Sequence, residues 1–367
     1  MNDVYIVIPN YHVGGAEKRL VELWNEIQKV SLDNVYLVIT KPLFDLLENT
    51  PNLMYLNKSN TKVKIINPKK QRYRYFVQKL LPIILKAKRG SVFHYPMMGL
   101  PFIHYFLGQE QIVSQVSSLY FEKDVETQGY LNRSCFYLSS ITAKYIDVLN
   151  PKVYEGLRNE NFHTSKLKLT VGSMVDTNIA SKSEKNDNVV FLGRFEKNDI
   201  KNSFTFVKLL PKINKILLEN NKKVKFYILG KGPLEAVMTE LLAGEEYKDI
   251  DVECYFEKKP LEVLSKSKVF LSLQKYENYP SRSLLEAIAC GMLPIVTDVG
   301  ESRLFGNDEI IRYVTEPLLH EELAKNILEI LEMDKLVFAE ANNVLKTFVE
   351  QKHSIKAHVD YYLSLYA

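Results

Sequence analysis

The sequence has few cysteines and lacks a segment that could serve as a leader or a membrane-spanning helix. Its 367 residues include only Cys135, Cys254 and Cys290, none of them in a Cys-x-x-Cys pair. This spacing argues against a structural zinc centre or a disulfide framework and indicates a reducing compartment. The N-terminal apolar run, Val4 to Ile8, is shorter than that of a signal peptide, and the longest uncharged stretch, 90–109, contains prolines and glycines that do not suit a spanning helix. We therefore expect a soluble, cytoplasmic protein.

An excess of one charge sign is also missing. Lysine and arginine total 48 against 44 aspartates and glutamates, a net charge of +4 that argues against a nucleic-acid partner. The chain is 46% hydrophobic, which excludes a disordered or fibrous protein. At 367 residues it exceeds what one hydrophobic core usually supports, so two domains are expected.

Short apolar runs alternate with segments of helical periodicity. Leu20, Leu23 and Ile27 recur at helical spacing between the apolar runs 4–8 and 35–40. Strand, helix and strand in that order form a βαβ unit with a parallel sheet. Further strands are predicted at 63–66, 91–94, 112–116, 189–192, 225–229, 252–256, 269–273 and 293–296, and further helices near 203–219, 233–243, 260–266, 281–290 and 319–332.

The polar stretch 176–188 is the best linker candidate between two such halves. It divides the chain into a domain at 1–177, a domain at 178–345, and a C-terminal helical segment at 346–367 that can pack back on the first domain. In doubly wound domains, ligands bind at the carboxyl ends of the strands.

Two loops after predicted strands carry residue types suited to an anion. Gly14 and Gly15 stand directly before a helix, where backbone amides can approach an anionic ligand, although a tight structural turn explains the pair equally well. Arg194 and Lys201 follow the strand at 189–192 and can hold a diphosphate, although alone they would also fit solvated loop charges.

A third loop after a strand, 230–233, contains Gly230 and Gly232 and ends with a proline suited to the first turn of a helix. A structural turn is at least as good an explanation there as a ligand contact.

The most specific segment is 277–287. Glu277 lies in a loop after a strand, Pro280 and Ser281 stand at a helix start, and Glu286 lies on an otherwise apolar helix. A carboxylate is costly to bury without partners, and sugar hydroxyls would be suitable partners. The alternative is that Glu286 belongs to the exposed stripe of that helix.

Together these motifs resemble, in order and spacing, the retaining, nucleotide-sugar-dependent glycosyltransferases of GT-B fold, family GT4. The resemblance covers nearly the whole chain and is strongest over 189–304. It implies an α/β fold of two Rossmann-like, doubly wound domains facing across a cleft. The domain at 1–177 would lie on the acceptor side, and the domain at 178–345 would bind the nucleotide-sugar donor.

The resemblance also implies roles for individual residues. Arg194 and Lys201 match the diphosphate-binding arginine and lysine of the family; Glu277 matches the glutamate that faces the donor sugar, and Glu286 the one that binds the nucleotide ribose. The predicted catalytic residues are Arg194, Lys201 and Glu277. The predicted donor-binding residues are Gly14, Gly15, Gly230, Gly232, Asn278, Tyr279, Pro280, Ser281, Ser283 and Glu286. His12 and His94 are candidate contacts to the acceptor or the sugar. No metal is expected, and no cofactor beyond the nucleoside diphosphate sugar.

The sequence departs from the family pattern in three places. The two glutamates are nine residues apart instead of eight, and Asn202 stands where a glycine is usual. Many members carry a histidine where this chain reads 113–118 without one. His94 follows the preceding strand, where it either touches substrate or is a packed strand-end histidine.

Basic and aromatic residues interleave over 69–89, beginning with Lys69, Lys70, Arg72 and Arg74. Such a helix can lie on an anionic membrane surface or form an ordinary solvated face. The predicted protein is thus a metal-independent glycosyltransferase of hexosyltransferase type that moves a sugar with retention to a glycan or lipid-linked acceptor, in cell-surface polysaccharide or glycoconjugate synthesis. It would be cytoplasmic or peripheral on the inner face of the membrane. The alternatives are a non-catalytic nucleotide-sugar-binding partner subunit and a GT-B sugar-nucleotide epimerase.

Overall fold

A computed structural model shows two compact units. Unit 1 comprises Met1–Met174 and Ile355–Ala367, and unit 2 comprises Val175–Ser354. The structure describes residues 2–11, 15–30, 34–50, 52–68, 73–96, 99–100, 102–115, 137–159, 163–170, 173–178, 185–276, 279–306 and 309–367.

Unit 1 is built on a seven-stranded sheet in the order β3-β2-β1-β4-β5-β6-β7, and its paired strands are parallel. The strands are β1 Val4–Ile8, β2 Val35–Thr40, β3 Val63–Ile66, β4 Val92–Tyr95, β5 Glu110–Gln115, β6 Tyr145–Val148 and β7 Leu167–Leu169. The helices are α1 Gly15–Val30, α2 Lys41–Leu47, α3 Tyr73–Lys86, α4 Ile103–Phe106, α5 at 137–142, α6 Pro151–Asn159 and, from the end of the chain, α13 Ile355–Tyr366.

Unit 2 is built on a six-stranded parallel sheet in the order β10-β9-β8-β11-β12-β13. The strands are β8 Asn186–Leu192, β9 Lys225–Leu229, β10 Val252–Tyr255, β11 Ser267–Ser272, β12 Leu293–Thr297 and β13 Arg312–Val314. The helices are α7 Ser203–Glu219, α8 Glu235–Leu242, α9 Pro260–Leu264, α10 Arg282–Ala289, α11 His320–Leu331 and α12 Lys335–His353. In both units the strand order reverses beside the first strand, which is the doubly wound arrangement of a Rossmann fold.

The apolar periodicity of the helices explains how they pack. On α1, Leu20, Leu23, Trp24 and Ile27 are all fully buried against the core of unit 1. The indole Nε1 of Trp24 donates to the carbonyl oxygen of Val35 at 3.0 Å, so the helix is fixed to the second strand by a hydrogen bond as well as by packing.

Three strands were not predicted from the sequence: β6, β7 and β13. They are three or four residues long and include polar residues such as Asp147, Lys168 and Arg312. β7 and β13 are edge strands, where a long apolar run is not required. The predicted linker at 176–188 was too long, because β8 already begins at Asn186. Among the described residues, no helix has the length and apolarity needed to cross a membrane.

Candidate functional site

The candidate site of unit 2 lies where its strand order reverses. β8 and β11 are neighbours in the sheet although they are not consecutive in the chain. Such a switch point is where open α/β sheets bind ligands. The loop after β8 carries Arg194 and Lys201, and the loop after β11 carries Gln274 and leads into α10.

Several bonds fix these two loops to each other. The backbone amide of Lys275 donates to the carbonyl oxygen of Ile200 at 2.9 Å, and Lys275 Nζ lies 3.8 Å from Asp199 Oδ2. Thr297 Oγ1, at the end of β12, donates to the carbonyl oxygen of Gln274 at 2.7 Å and accepts from its backbone amide at 2.8 Å. The carboxyl ends of β8, β11 and β12 are therefore held as one edge.

The loop between Arg194 and Lys201 is closed by an aspartate that caps α7. Asp199 accepts from the backbone amides of Phe204 and Thr205 at 2.9 and 3.0 Å, so it satisfies amides of the first turn. Asn202 follows with φ 55°, in the left-handed region, and its Nδ2 donates to Glu316 Oε2 at 2.7 Å. This conformation explains how Asn202 can stand where the resembling family has glycine, since asparagine tolerates positive φ better than most residues.

Lys201 is half-buried beside the turn after β8, and its Cδ would lie 3.4 Å from a Cβ at Gly193. Burial lowers the pKa of the Lys201 ammonium, Glu196 opposes this effect, and the charge of Arg194 adds to it. Arg194 itself is exposed. The two predicted cations are thus close enough to affect each other electrostatically, as a shared anion site requires.

A cavity of about 300 Å³ opens at this edge of the sheet. Its lining consists of Lys201, Gln274, Tyr279, Pro280, Ser281, Arg282 and Ser283. Five of these seven residues, 279–283, lead into the first turn of α10, whose first amides point outward from the helix and favour anions. Ser281 caps the helix by accepting from the amide of Leu284 at 3.4 Å. A diphosphate-sized anion has both a lysine and a helix N-terminus available here.

Sequence reasoning missed two residues of this lining, Gln274 and Arg282. Arg282 lies inside the most specific motif, but its side chain was left without a role. In the structure its Nε donates to Glu286 Oε1 at 2.8 Å, one turn along α10. The signal that could have identified it is the spacing of four residues between an arginine and a glutamate on one helix. Glu286 is partly buried, with 19% of its side chain exposed, and the partner that the structure gives its carboxylate is Arg282.

Gly230 and Gly232 lie in the turn after β9, which packs against the turn after β8. A Cβ at Gly230 would lie 1.9 Å from the carbonyl oxygen of Gly193, and one at Gly232 (φ 155°) would lie 2.5 Å from that of Phe195. Both glycines thus have a packing reason to be glycine. The structural turn that the sequence left open explains them without a ligand contact.

His94 lies in unit 1 and is fully buried. Its Nδ1 is 2.8 Å from the Tyr366 hydroxyl, and its Nε2 is 2.6 Å from Ser114 Oγ, which in turn donates to Asp147 Oδ2 at 3.0 Å. Because Ser114 donates onward, its oxygen accepts from His94 Nε2–H, which leaves Nδ1 to accept from Tyr366. Burial lowers the pKa of His94 to about 4, the charge of Asp147 opposes this shift, and Arg19 adds to it. These contacts favour the packed strand-end histidine over a substrate contact.

Four predicted site residues lie outside the described residues: His12, Gly14, Glu277 and Asn278. Gly15 begins α1. Among the residues that the structure describes, no group of three or more histidines, cysteines, aspartates or glutamates could hold a metal ion.

The predicted basic surface is described only in part, because Lys69, Lys70 and Arg72 lie outside the described residues. Arg74 begins the described part and is exposed, with its guanidinium 4.8 Å from the centre of the Tyr75 ring. The apolar positions divide into two groups. Phe76, Leu80 and Ile84 are buried in the core of unit 1, and Leu81 and Leu85 are 37% and 61% exposed.

Comparison with known proteins gives a family match within unit 2 and a shared fold with solved structures. Residues 176–346 match the family described as glycosyl transferases group 1. That region coincides closely with unit 2 and contains the whole cavity. A search of curated proteins finds no match for the chain.

Two of three solved structures compared share the fold over the full chain. Anabaena HepE, in a complex with UDP-glucose, has a TM-score of 0.73 at 12% identity and covers 100% of both chains. A glycosyltransferase from Rickettsia africae has a TM-score of 0.71 at 14% identity, covering 100% of this chain and 97% of that one. A mutant of TarM from S. aureus, in a complex that includes UDP, has a TM-score of 0.60 at 15% identity over 80% of this chain. The present chain spans only 58% of TarM. The predicted α/β fold of two Rossmann-like domains of GT-B type is thereby confirmed.

Proposed function

We propose that this protein transfers a glycosyl unit from a nucleoside diphosphate sugar to a glycan or lipid-linked acceptor, with retention and without a metal ion. The observation that carries the proposal is the cavity of about 300 Å³ at the start of α10, which Lys201 and Arg282 both line. The match of 176–346 to group 1 glycosyl transferases supports the same reaction class.

Unit 2 supplies the positive charge that this reaction requires. When the glycosidic bond to the donor breaks, negative charge develops on the leaving diphosphate. Lys201, Arg194 and the amides at the start of α10 would stabilise that charge by positions fixed before the reaction, which is generally the largest catalytic effect. Burial disfavours the charged form of Lys201 and Glu196 opposes this effect, so a bound diphosphate would act in the same direction as Glu196 and favour the ammonium form.

We assign the remaining roles by analogy with the resembling family. Glu286 would accept hydrogen bonds from the ribose hydroxyls, and Glu277 would face the donor sugar. The half-buried position of Glu286 on α10 supports its role, since the same helix lines the diphosphate cavity. A place in cell-surface polysaccharide or glycoconjugate synthesis is part of this proposal.

We also propose that unit 1 meets an anionic membrane surface, where a lipid-linked acceptor would be found. α3 presents exposed Lys79 and Lys86, and the turn that follows presents exposed Lys88 and Arg89. Gln109 Nε2 donates to the carbonyl oxygens of Ile84 and Ala87, which holds the aromatic α4 segment beside this turn. That segment exposes Phe102, Tyr105 and Phe106, at 39%, 67% and 80%. Exposed aromatics beside cations are typical of interfacial contacts.

Calorimetric titration with a panel of nucleoside diphosphate sugars, followed by nuclear magnetic resonance of the products, tests the central proposal. We expect one donor to bind and to be slowly hydrolysed without an acceptor, with the anomeric configuration kept in the transferred product. Binding without hydrolysis or transfer would instead identify a non-catalytic partner, and an isomerised donor would identify an epimerase. Activity that survives a chelator supports the metal-independent reaction.

A further inference from the structure

A second cavity, of about 290 Å³, lies in unit 2 and shares no residue with the one at α10. Its floor is one face of the three strands β8, β9 and β10. Asn186 and Asn188 come from β8, Tyr227 from β9, and Glu253 and Tyr255 from β10. Strand register places Tyr227 opposite Glu253, and side chains two apart on a strand share a face, so this floor follows from the sheet itself.

This floor is unusual for the sheet that contains it. β8 and β9 are interior strands, and interior strands of a parallel sheet are normally apolar on both faces because helices cover them. Here the face that lines the cavity carries asparagine and tyrosine. The short helix α9 lies beside this face and contributes Glu262 and Val263 to the lining. Polar side chains on this face of interior strands favour the binding of a polar ligand over them.

Asn188 gives the sharpest evidence. It is only 9% exposed, yet no described residue forms a hydrogen bond with its side-chain amide. Asn188 lines the cavity and its amide atoms are not fully buried, so a ligand that supplies both a donor and an acceptor can pair with them there. A hydroxyl group offers both.

The charges of the lining residues limit further the kinds of ligand that the cavity can bind. Three glutamates, Glu253, Glu257 and Glu262, line it with a single cation, Lys266. Lys225 pairs with Glu253 at 2.6 Å, which partly neutralises the floor. Lys259 pairs with Glu262 at 3.4 Å, so Glu257 is the lining carboxylate that has no ion pair with a described residue, and its charge disfavours phosphates and acidic sugars. The lining carboxylates can accept hydrogen bonds from hydroxyl or amino groups, and the tyrosine rings offer apolar faces.

We propose that this second cavity binds one ring of a neutral or amino sugar, as a saccharide subsite separate from the donor cavity. Its volume is at the lower end for small-molecule pockets, roughly 300 Å³, which suits a single sugar ring. The proposal rests on the proposed function only for its biological ligand, which would be the glycan that the enzyme extends.

The test is saturation-transfer-difference nuclear magnetic resonance on the full chain with four probes: maltotriose, chitotriose, trigalacturonate and trilysine. We expect at least one neutral probe to bind and trigalacturonate to bind at least tenfold more weakly. Asn188→Leu, which keeps the side-chain size but removes the amide, should weaken the neutral probe about tenfold or more, and Tyr255→Ala should do the same. Affinity for UDP, measured on the same variants, reports that the fold is intact and should not change.

Lys201→Met is the matched control at the other cavity, and it should weaken UDP while leaving the trisaccharide unaffected. The proposal is overturned if no saccharide binds, if Asn188→Leu binds as well as wild type, or if Lys201→Met abolishes saccharide binding. Binding of trilysine in preference to every saccharide would also overturn it, by identifying a cationic peptide site. The UDP titrations test the donor site alone, so a failure of the donor-site proposal can be distinguished from a failure of the saccharide-subsite proposal.

Discussion

Arg282 Nε and Glu286 Oε1 lie 2.8 Å apart on successive turns of α10, with side-chain exposures of 33% and 19%. The pair places an arginine of the proposed diphosphate cavity in direct contact with the glutamate proposed to bind the ribose. Two parts of one nucleotide would thus be recognised by two side chains that are hydrogen-bonded to each other.

The proposed diphosphate site predicts the effect of removing its cations. Arg194→Ala and Lys201→Ala should each weaken nucleoside diphosphate binding by about 1.5–3 kcal/mol, the range for a hydrogen bond to a charged group. Calorimetric titration measures this. Lys197→Ala is the matched control for Lys201→Ala, because Lys197 is an exposed cation of the same loop that, unlike Lys201, does not line the cavity. Equal affinity in Lys201→Ala and Lys197→Ala would remove Lys201 from the site.

The ribose assignment predicts a difference between two nucleotides. Glu286→Gln keeps the shape of the side chain but weakens its acceptor strength, so it should cost UDP about 1–2 kcal/mol and deoxy-UDP almost nothing. Competition titration with both nucleotides gives this difference directly. Arg282→Met should weaken both nucleotides if Arg282 also contacts the diphosphate. A Glu286→Gln variant that loses equal affinity for both nucleotides would give Glu286 a structural role instead.

The left-handed residue at the start of α7 predicts an order of stabilities. Asn202→Ala places an alanine at φ 55° and removes the bond to Glu316, whereas Asn202→Gly removes only the bond. Because the left-handed region costs a residue with a Cβ about 1–2 kcal/mol, the alanine variant should be less stable than the glycine variant by about 1 kcal/mol. Urea unfolding followed by circular dichroism measures the difference. A glycine variant no more stable than the alanine variant would contradict the argument.

Unit 1 should lose stability in mild acid because of its buried histidines. Burial lowers the pKa of His104 to about 4, and its hydrogen bond to Gln109 only partly opposes this. The folded state therefore stays neutral at His104 while the unfolded state takes up a proton near pH 6.5. The stability that this neutral histidine contributes is complete above pH 6.5 and is lost as the pH falls towards 4, by about 1.4 kcal/mol per pH unit.

The fluorescence of Trp24, the only tryptophan of the chain, reports the unfolding of unit 1 in urea. Between pH 7 and pH 5, His104→Gln should lose less stability than wild type, because it has removed one titrating group. What is compared is the change of the free energy of unfolding with pH. This comparison holds even though the variant also loses the contact of His104 Nε2 with the Tyr95 hydroxyl, 2.7 Å away. Parallel slopes for the two proteins would contradict it.

The proposed membrane surface predicts salt-dependent binding to vesicles. Each cation near an anionic surface contributes roughly 1 kcal/mol, so replacing Lys79, Lys86, Lys88 and Arg89 with glutamine should abolish co-sedimentation with anionic vesicles. Neutral vesicles should not bind, and added salt should weaken binding. The control variant carries glutamine at Lys208, Lys212, Lys215 and Lys223, exposed cations of unit 2. Equal sedimentation of both variants would leave the surface as an ordinary solvated one.

Much of the fold was predictable because apolar periodicity is a local signal. β1, β2, β3 and β9 have the predicted bounds, since each is a run of mostly apolar residues between turn residues. β13 was missed because three edge residues, one of them an arginine, are too few to show a period. The site was predictable to the extent that its residues share a short motif. The pairing of Arg282 with Glu286 depends on rotamers, and the packing of Gly230 on Gly193 depends on two turns far apart in sequence, which no single-segment pattern contains.

α13 belongs to unit 1 although unit 2 precedes it in the chain. Its Tyr362 hydroxyl donates to Asp147 Oδ2 at 2.9 Å, and Tyr361 donates to the other oxygen of this buried carboxylate. On the ribosome, unit 1 is therefore synthesised first but completed last. Until 355–366 emerges, Asp147 lacks two of its hydrogen-bond donors, and the apolar surface that Tyr362 and Tyr366 cover is open to water and to chaperones. N-terminal domains generally fold first during synthesis. Here unit 2 can finish folding before α13 is available to complete unit 1.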